Sequence, residues 1–259
     1  MIQTDPHPAQ SAYIELIKRA ITNYHYLGGD VALADFRALD LYDAKRGEWR
    51  IAAEARPLTL LTKGQLDLIE ELARQVIGQA VAGDFIEAGV WRGGAIVLLR
   101  ALLKVSGIAD RRVFAADSFA GIPLNVSFRH DPVDKWRDRW VASRGEVEQG
   151  IARFGLLDPQ VVFVEGFFAE SLKALAGERF ALIRLDSDSY ESVLTSLEFL
   201  YPLLSPGGAL IIDDWHLVGC QMAVGHYRTR HGITERIETT AGNAWWIKQH
   251  DYGFPHLPG

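Results

Sequence analysis

From Gly83 onward the chain alternates short apolar runs with helical patterns, and this alternation limits the possible folds more than any other feature. Five runs have the length and composition of buried strands: Asp84–Ala88, Arg112–Ala116, Val161–Glu165, Phe180–Leu185 and Ala209–Ile212. The stretches between them have helical patterns, at Ala95–Val105, Glu146–Phe154, Ala169–Leu175 and Ser189–Leu203. Strands and helices that alternate at this spacing predict an α/β fold, with a mostly parallel sheet covered by helices on both faces.

The two ends of the chain add further elements. Ala12–Tyr24 and Leu66–Val81 have the spacing of amphipathic helices, whereas Gly28–Arg56 is charged and shows no steady period. Near the other end, Glu235–Thr239 and Ala244–Gln249 predict an antiparallel hairpin that closes the sheet. We therefore expect one domain, with an N-terminal helical extension and substrate-covering segment over residues 1–82 and a core over residues 83–259.

Composition excludes several classes of protein. A net charge of -6 provides no basic field for nucleic acid, and no apolar run approaches the roughly 20 residues that span a bilayer. Met1–Gln10 is polar and unlike a secretory leader, so we expect a cytoplasmic protein. The single cysteine, Cys220, excludes an internal disulfide and a cysteine-based metal cluster, and we interpret it as a buried reduced thiol.

The segment Asp84–Arg100 contains a glycine-rich turn between a strand and a helix. The apolar strand ends in Glu87, which Gly89 and the pair Gly93-Gly94 follow. Glycines at such a turn let a ligand approach the backbone, and an acid before them suits the α-amino group of an amino-acid-like ligand. Tight packing between strand and helix explains the same glycines equally well.

The second strand also ends in an acid. Asp117 lies 30 residues after Glu87 (117 − 87) and precedes Ser118. An aspartate at the end of a second strand can accept hydrogen bonds from both ribose hydroxyls of a nucleoside. The alternative is an aspartate that caps the turn after the strand.

Acids also follow two later strands of the predicted sheet. Asp186 lies after one strand, and Asp213 and Asp214 lie after the next, 27 residues on (213 − 186). Neighbouring parallel strands are about 4.8 Å apart, so carboxylates at their ends can converge on one ion. A hard dication such as Mg²⁺ would relieve their mutual repulsion. In the alternative interpretation, Asp213 and Asp214 merely cap the helix that begins near Leu217.

These residues belong to a series of blocks that resembles the macrocin O-methyltransferase family, bacterial enzymes that methylate sugar hydroxyls on macrolides and related antibiotics. The blocks run in order through more than half of the chain: E-A-G-V-W-R-G-G at Glu87–Gly94, A-D-S-F-x-G-x-P at Ala116–Pro123, R-F-G-L-L-D at Arg153–Asp158, R-L-D-S-D-S-Y at Arg184–Tyr190, Y-P-x-L-S-P-G-G at Tyr201–Gly208, I-I-D-D at Ile211–Asp214 and Y-R-x-R-H-G-I at Tyr227–Ile233.

The resemblance implies a class I, Rossmann-like methyltransferase fold that binds S-adenosylmethionine. It places the cofactor on the turn after the first core strand, on the acid after the second, on a loop near the adenine and beside the first metal ligand: Glu87, Gly89, Val90, Trp91, Arg92, Gly93, Asp117, Ser118, Gly166, Phe167 and Asp186. It also implies Mg²⁺ or another divalent cation on Asp186, Asp213 and Asp214. The pair Trp215-His216 departs from the family pattern, and the region Gly28–Pro57 matches poorly.

The expected reaction transfers a methyl group to a hydroxyl, whose proton a nearby base must accept. We expect Asp186 to be a metal ligand and the base, with His216 as the other candidate base. Asp188 is a further candidate for the site, and the alternative is that it faces away and caps the next helix. The acceptor is a small molecule that carries either a sugar hydroxyl or, as in a catechol-type enzyme, a phenolic diol. The resemblance also allows a homodimer or higher oligomer, in which Gly28–Arg56 exchanges between protomers.

Two other classes of protein would require different features in the sequence. An NAD-dependent short-chain reductase would need the G-x-G-x-x-G fingerprint and a Tyr-x-x-x-Lys pair, and the sequence has neither. A non-enzymatic nucleoside-binding protein would have no use for the acidic residues. Metal-dependent release of S-adenosylhomocysteine separates that class from an enzyme.

Overall fold

A seven-stranded sheet forms the centre of the molecule. The computed structural model describes residues 7–22, 42–43, 48–49, 56–122 and 140–253. Its strands are β1 (Tyr42–Asp43), β2 (Glu48–Trp49), β3 (Asp84–Ala88), β4 (Val113–Asp117), β5 (Val161–Glu165), β6 (Phe180–Leu185), β7 (Leu204–Ile212), β8 (Glu238–Thr240) and β9 (Asn243–Ile247). The pair β1–β2 forms a separate antiparallel ribbon. The large sheet has the order β5-β4-β3-β6-β7-β9-β8, in which β3 to β7 are parallel and β8 and β9 form an antiparallel hairpin.

Helices cover both faces of this sheet, which confirms the predicted fold class. They are α1 (Pro8–Ile21), α2 (Lys63–Gly78), α3 (Gly94–Val105), α4 (Arg144–Ala152), α5 (Phe168–Ser171), α6 (Tyr190–Leu200) and α7 (Val218–His231), with 3₁₀ turns at Leu172–Leu175 and Tyr201–Leu203. None of these described helices is long and apolar enough to cross a membrane.

Residues of the central strands alternate between two apolar clusters. Phe85 and Val113 face the cluster that includes α1 to α4, whereas Ile86 and Phe114 face the cluster that includes α6 and α7. Successive side chains of a strand point to opposite faces, so a strand buried on both sides is apolar throughout. This is why the sequence predicts β3 and β6, which are buried along their whole length, with the bounds that the structure has. The bounds of β5 are also as predicted, although this edge strand is only partly buried.

Helix starts differ from the prediction because capping, rather than apolar spacing, sets them. Before α1, His7 and Gln10 form a reciprocal capping box, and the helix begins at Pro8 instead of Ala12. Before α2, Thr62 and Gln65 do the same, so that helix begins three residues earlier than its apolar pattern.

The strand β7 is longer than predicted. We expected this strand to begin at Ala209, and this was wrong, because β7 begins at Leu204 and continues through Pro206-Gly207-Gly208. The Gly207 amide donates to the Lys248 carbonyl at 2.7 Å, and the Lys248 amide donates to the Gly208 carbonyl at 2.9 Å. Gly207 has a φ of 83°, which glycine adopts readily. The strand therefore stays paired through this residue.

The order of the strands fixes where a ligand can bind. The strands β3 and β6 lie side by side at the centre of the sheet. From β3 the chain continues to β4 and β5 on one side, and from β6 it continues to β7 on the other side. In open α/β sheets the crevice beyond the carboxyl ends of the strands at such a switch point is the usual binding site. Glu87 and Arg184 are direct register partners there.

Candidate active site at the strand ends

The glycine turn after β3 packs tightly against other parts of the chain. Gly89 has a φ of 93°, and a Cβ atom there would lie 1.6 Å from the Asp186 carbonyl oxygen. A Cβ on Gly93 would lie 2.9 Å from Val147, and the Gly94 amide donates to the Leu58 carbonyl at 3.0 Å. The packing interpretation therefore accounts for these three glycines, and contact of the turn with a cofactor stays a prediction.

Asp117 holds the glycine turn in place through its carboxylate. One oxygen accepts from the Val90 amide at 2.7 Å and the Trp91 amide at 3.2 Å, and the other accepts from the Phe119 amide at 2.8 Å. Asp117 thus caps the turns that follow β3 and β4. A carboxylate has about four acceptor positions, so about one remains for a ligand hydroxyl. Ser118 donates to the Gly121 carbonyl at 2.6 Å and so belongs to the same turn.

Other predicted cofactor residues lie around this turn. The Gly166 amide donates to the Asp117 carbonyl at 2.9 Å, which brings the loop after β5 beside it, and the Phe167 ring is 47% exposed there. Trp91 stacks on Trp49 with ring centroids 5.9 Å apart. Arg92 donates to the Pro57 carbonyl at 3.0 Å and so ties the turn to the chain before α2. The prediction that these residues bind a cofactor is untested.

Glu87 is buried against an arginine that the sequence analysis passed over. Its carboxylate pairs with the Arg184 guanidinium, and both side chains are at most 2% exposed. Burial raises the pKa of Glu87 to about 8, although Arg184 acts to lower it. One oxygen of Glu87 already binds Arg184. Only the other oxygen is therefore left for the expected contact with an α-amino group, and it has no hydrogen-bond partner among the described residues. The sequence feature that could have identified Arg184 is the presence of a charged residue within the apolar strand β6.

The ends of β6 and β7 bring acidic side chains together. Ligand oxygens of Asp186, Asp188 and Asp214 all lie within 4.8 Å of one another, and we call these three residues the acidic trio. Two of them were expected as metal ligands. Of the two alternatives for Asp188, the structure places it beside these acids, and Ser189 is the residue that caps α6. Asp188 has a φ of 57°, a left-handed backbone that non-glycine residues seldom adopt outside functional sites.

Asp213, the third expected metal ligand, has a different set of contacts. Its Oδ1 accepts from Arg184 at 2.6 Å and from the Gln65 amide at 3.4 Å. Arg184 also donates to Asp186 Oδ2 at 2.9 Å, so one guanidinium connects the acids of two strands. The structure thus brings Asp186 and Asp214 together with Asp188, while Asp213 lies beside them on Arg184.

The electrostatics of these acids favour a cation. Burial and the charge of Asp213 raise the pKa of Asp186 to about 6, and burial together with Asp188 raises the pKa of Asp214 well above its usual range. Close carboxylates with little solvent resist ionisation, and a dication removes that cost. Carboxylate oxygens are the ligands that hard ions such as Mg²⁺ prefer, so the donors present fit such an ion.

His216, the alternative base, is exposed in the turn between β7 and α7. Within the described part of the chain it forms no hydrogen bond with the acidic trio. The hydroxyl of Tyr190, two residues after Asp188, lies 2.9 Å from Nδ1 of a different histidine, His226. Cys220 is buried and is not part of a disulfide, as expected.

Most of the chain is similar to known O-methyltransferases. The family profile described as Macrocin-O-methyltransferase (TylF) matches residues 10–249. A Mycinamicin III 3''-O-methyltransferase of Micromonospora griseorubida is 33% identical over 93% of this chain and 98% of its own. An 8-demethyl-8-(2,3-dimethoxy-alpha-L-rhamnosyl)-tetracenomycin-C 4'-O-methyltransferase of Streptomyces olivaceus is 36% identical over 90% of this chain and 91% of its own. The solved structure of the O-methyltransferase NovP superposes with a TM-score of 0.80 at 31% identity, over 93% of this chain and all of that chain (100%).

Proposed function

The chain belongs to the Macrocin-O-methyltransferase (TylF) family, and from this membership we propose that it methylates a sugar hydroxyl of a glycosylated natural product. The donor in this proposal is S-adenosylmethionine, and a divalent cation, Mg²⁺ in the first instance, is required. The observation that carries the proposal is the acidic trio at the switch point, beside a turn that Asp117 holds.

The reaction moves one methyl group and one proton. The acceptor oxygen forms a bond to the methyl carbon as the bond from that carbon to the sulfonium sulfur breaks, and sulfur keeps the electron pair. The hydroxyl proton goes to a base, for which we assign the Asp186 carboxylate and keep exposed His216 as the alternative. The products are a methyl ether and S-adenosylhomocysteine. Holding the three reacting atoms in line is worth about 7–11 kcal/mol in well-oriented systems.

The cofactor side of the site supports a nucleoside ligand. Asp117 keeps about one acceptor position for a ribose hydroxyl, and Phe167 offers an exposed ring at the end of the neighbouring strand. The turn from Glu87 to Gly93 has a fixed shape, because the amides of Val90 and Trp91 donate to Asp117. A preformed turn loses little conformational entropy when it binds a ligand.

The acidic side supports a bound dication. The acidic trio would hold it, and Asp213, which is paired with Arg184 beside the trio, would be a further oxygen donor. When bound, such an ion orients an acceptor hydroxyl and lowers its pKa. The chain's own residues would hold the hydroxyl near the carboxylate of Asp186 and place the cofactor on the side of the glycine turn.

The relatives indicate the class of acceptor. The name of the Streptomyces olivaceus protein gives a rhamnosyl group and a 4'-oxygen as its target. Since that protein covers 90% of this chain at 36% identity, a sugar hydroxyl is the acceptor that we propose. The alternative is a catechol-type reaction, which a panel of acceptors would reveal as methylation of a phenolic diol in place of a sugar hydroxyl.

The decisive test combines one variant with a panel of acceptors. We expect Asp213→Ala to lower Mg²⁺-dependent turnover about 100-fold or more, while calorimetry shows S-adenosylhomocysteine affinity within about threefold of wild type. The matched control is Asp110→Asn, an exposed acid that precedes β4 at the opposite edge of the sheet. The panel pairs sugar-bearing and phenolic acceptors with Mg²⁺ or EDTA. Unchanged turnover and Mg²⁺ binding in Asp213→Ala would defeat the metal assignment, and no release of S-adenosylhomocysteine with any acceptor would favour a non-enzymatic binding protein.

A further inference from the structure

We propose that Arg184, assisted by Gln65, makes the acidic site select a small octahedral cation against calcium. It does so by occupying one oxygen of Asp186 and one of Asp213, so that each carboxylate can offer the ion a single oxygen. The inference rests on the metal site of the proposed function. It assigns to Arg184 and Gln65 the role of positioning residues.

Arg184 is built into the sheet beneath the site. Its side chain is 1% exposed, and its position in β6 is in register with Glu87 on β3 and with Ile211 on β7. The Nη1 atom donates to Glu87 and to Asp186 Oδ2, and the Nη2 atom donates to Asp213 Oδ1 at 2.6 Å. A planar guanidinium with this many partners has little freedom to release one of them.

Gln65 adds a second donor to the same oxygen of Asp213. Its Oε1 accepts from the Thr62 amide at 2.9 Å and from the Thr62 hydroxyl at 3.0 Å, as part of the capping box of α2. Because Oε1 is used there, the Nε2 group faces the site and donates to Asn243 at 2.8 Å and to Asp213 Oδ1 at 3.4 Å. The helix cap therefore fixes which end of the amide meets the carboxylate.

The consequence for metal choice follows from coordination chemistry. Calcium takes about six to eight oxygens, often from carboxylates that bind through both atoms, whereas magnesium takes six at about 2.0–2.1 Å. A carboxylate whose second oxygen is held by a guanidinium cannot bind through both atoms without breaking that contact. Arg184 holds Asp186 within the acidic trio and Asp213 beside it in this way. Two of the four aspartates at the site can thus each offer one oxygen, and this favours the ion that needs fewer protein oxygens.

A charge-only role for Arg184 makes a different prediction. Five carboxylates meet here (Glu87, Asp186, Asp188, Asp213 and Asp214), and a buried cation offsets part of their repulsion wherever its nitrogens point. Lysine would keep that charge but offers a single nitrogen in place of the two that bind Asp186 and Asp213. Arg184→Lys therefore separates selectivity by oxygen occupancy from simple neutralisation.

The experiment measures Mg²⁺ and Ca²⁺ dissociation constants by calorimetry on the full chain, with S-adenosylhomocysteine present. We expect wild type to bind Mg²⁺ more tightly than Ca²⁺. We expect Arg184→Lys to reduce that preference about tenfold, in the range reported for residues that orient metal ligands. A preference that persists unchanged in Arg184→Lys would overturn the inference in favour of charge alone.

Gln65→Met provides a second variant that leaves the buried arginine in place. We expect it to reduce the Mg²⁺ preference about threefold, and Glu146→Met is its matched control. Both changes remove the acceptor of a capping box, on α2 and on α4, but only Gln65 contacts Asp213. If Arg184→Lys does not fold, Gln65→Met decides: equal preferences in Gln65→Met, Glu146→Met and wild type would overturn the inference. Wild type that binds neither ion would overturn the metal site itself, and wild type that prefers Ca²⁺ would overturn only the inference.

Discussion

The two halves of the strand edge are held together by different forces. On the cofactor side, after β3, β4 and β5, the backbone amides of Val90, Trp91 and Phe119 donate to Asp117. On the acidic side, after β6 and β7, carboxylates converge and Arg184 is the cation that pairs with several of them. The first half is held by hydrogen bonds within the chain, whereas the second carries repulsion that an ion relieves. We therefore expect a bound cation to affect the acidic side more than the cofactor side.

The largest expected effect comes from the point where the two halves meet. In Gly89→Ala the new Cβ atom would lie 1.6 Å from the Asp186 carbonyl oxygen, at a φ of 93° that alanine rarely adopts. We expect a loss of about 4 kcal/mol or more in the free energy of unfolding, measured by urea denaturation, with both halves damaged.

Gly78→Ala is the matched control for that change. Gly78 is the last residue of α2, and a Cβ atom there has nothing within 4 Å. We expect this variant to be about 0.4–1 kcal/mol more stable than wild type, since alanine restricts the unfolded chain. A Gly89→Ala protein as stable as Gly78→Ala would refute the close contact between the halves.

A middle-sized effect should be confined to the cofactor side. Asp117→Ala leaves three backbone amides without their acceptor, and we expect a loss of about 1–3 kcal/mol in unfolding free energy. Calorimetry should show at least about tenfold weaker binding of S-adenosylhomocysteine, because the turn loses its cap and the ribose its acceptor. Mg²⁺ affinity should stay near that of wild type, because Asp117 contacts none of the acids after β6 and β7.

Asp158→Ala is the control for Asp117→Ala. Asp158 also accepts a backbone hydrogen bond, from Gln160 at 3.0 Å, and pairs with Arg100, but it precedes β5 at the opposite edge of the sheet. It should lower stability without lowering cofactor affinity. Equal losses of cofactor affinity in the two variants would show that Asp117 acts only through general stability.

A pH-dependent effect sharpens the electrostatic side of the comparison. Burial raises the pKa of Glu87 from 4.5 to about 8, so the folded protein holds this proton more tightly than the unfolded chain. The resulting stability is fully present below about pH 4.5 and is lost as the pH rises to about 8. Glu87→Gln cannot lose a proton, so its melting temperature should fall less than that of wild type across this window.

Glu146 provides the opposite case. Hydrogen bonds from Ser143 hold the pKa of Glu146 below its usual range, so this carboxylate stabilises the fold above about pH 4.5 and ceases to do so as the pH falls. Glu146→Gln should therefore lower the melting temperature at neutral pH and leave it nearly unchanged in acid. Melting curves of Glu87→Gln that parallel wild type at every pH would contradict the assigned shift at Glu87.

Much of the fold could be predicted because burial on both faces leaves a plain signal in the sequence. The bounds of β3, β5 and β6 are as predicted, and the closing hairpin is confirmed with a first strand shorter than expected. The start of α2 and the extent of β7 were misplaced, since a cap at Thr62 and a paired Gly207 depend on specific hydrogen bonds. The division into an extension and a core stays a prediction.

The sequence by itself determined that acids follow the strands, since each one stands directly after an apolar run that must be buried. Only the tertiary structure decided how those acids are paired. It placed Asp188 in the trio, bound Asp213 to Arg184 and Gln65, and filled the space at Gly89 with the Asp186 carbonyl. The physical reason is that apolar burial is encoded locally along the chain, whereas the partner of a charged atom depends on which strands become neighbours.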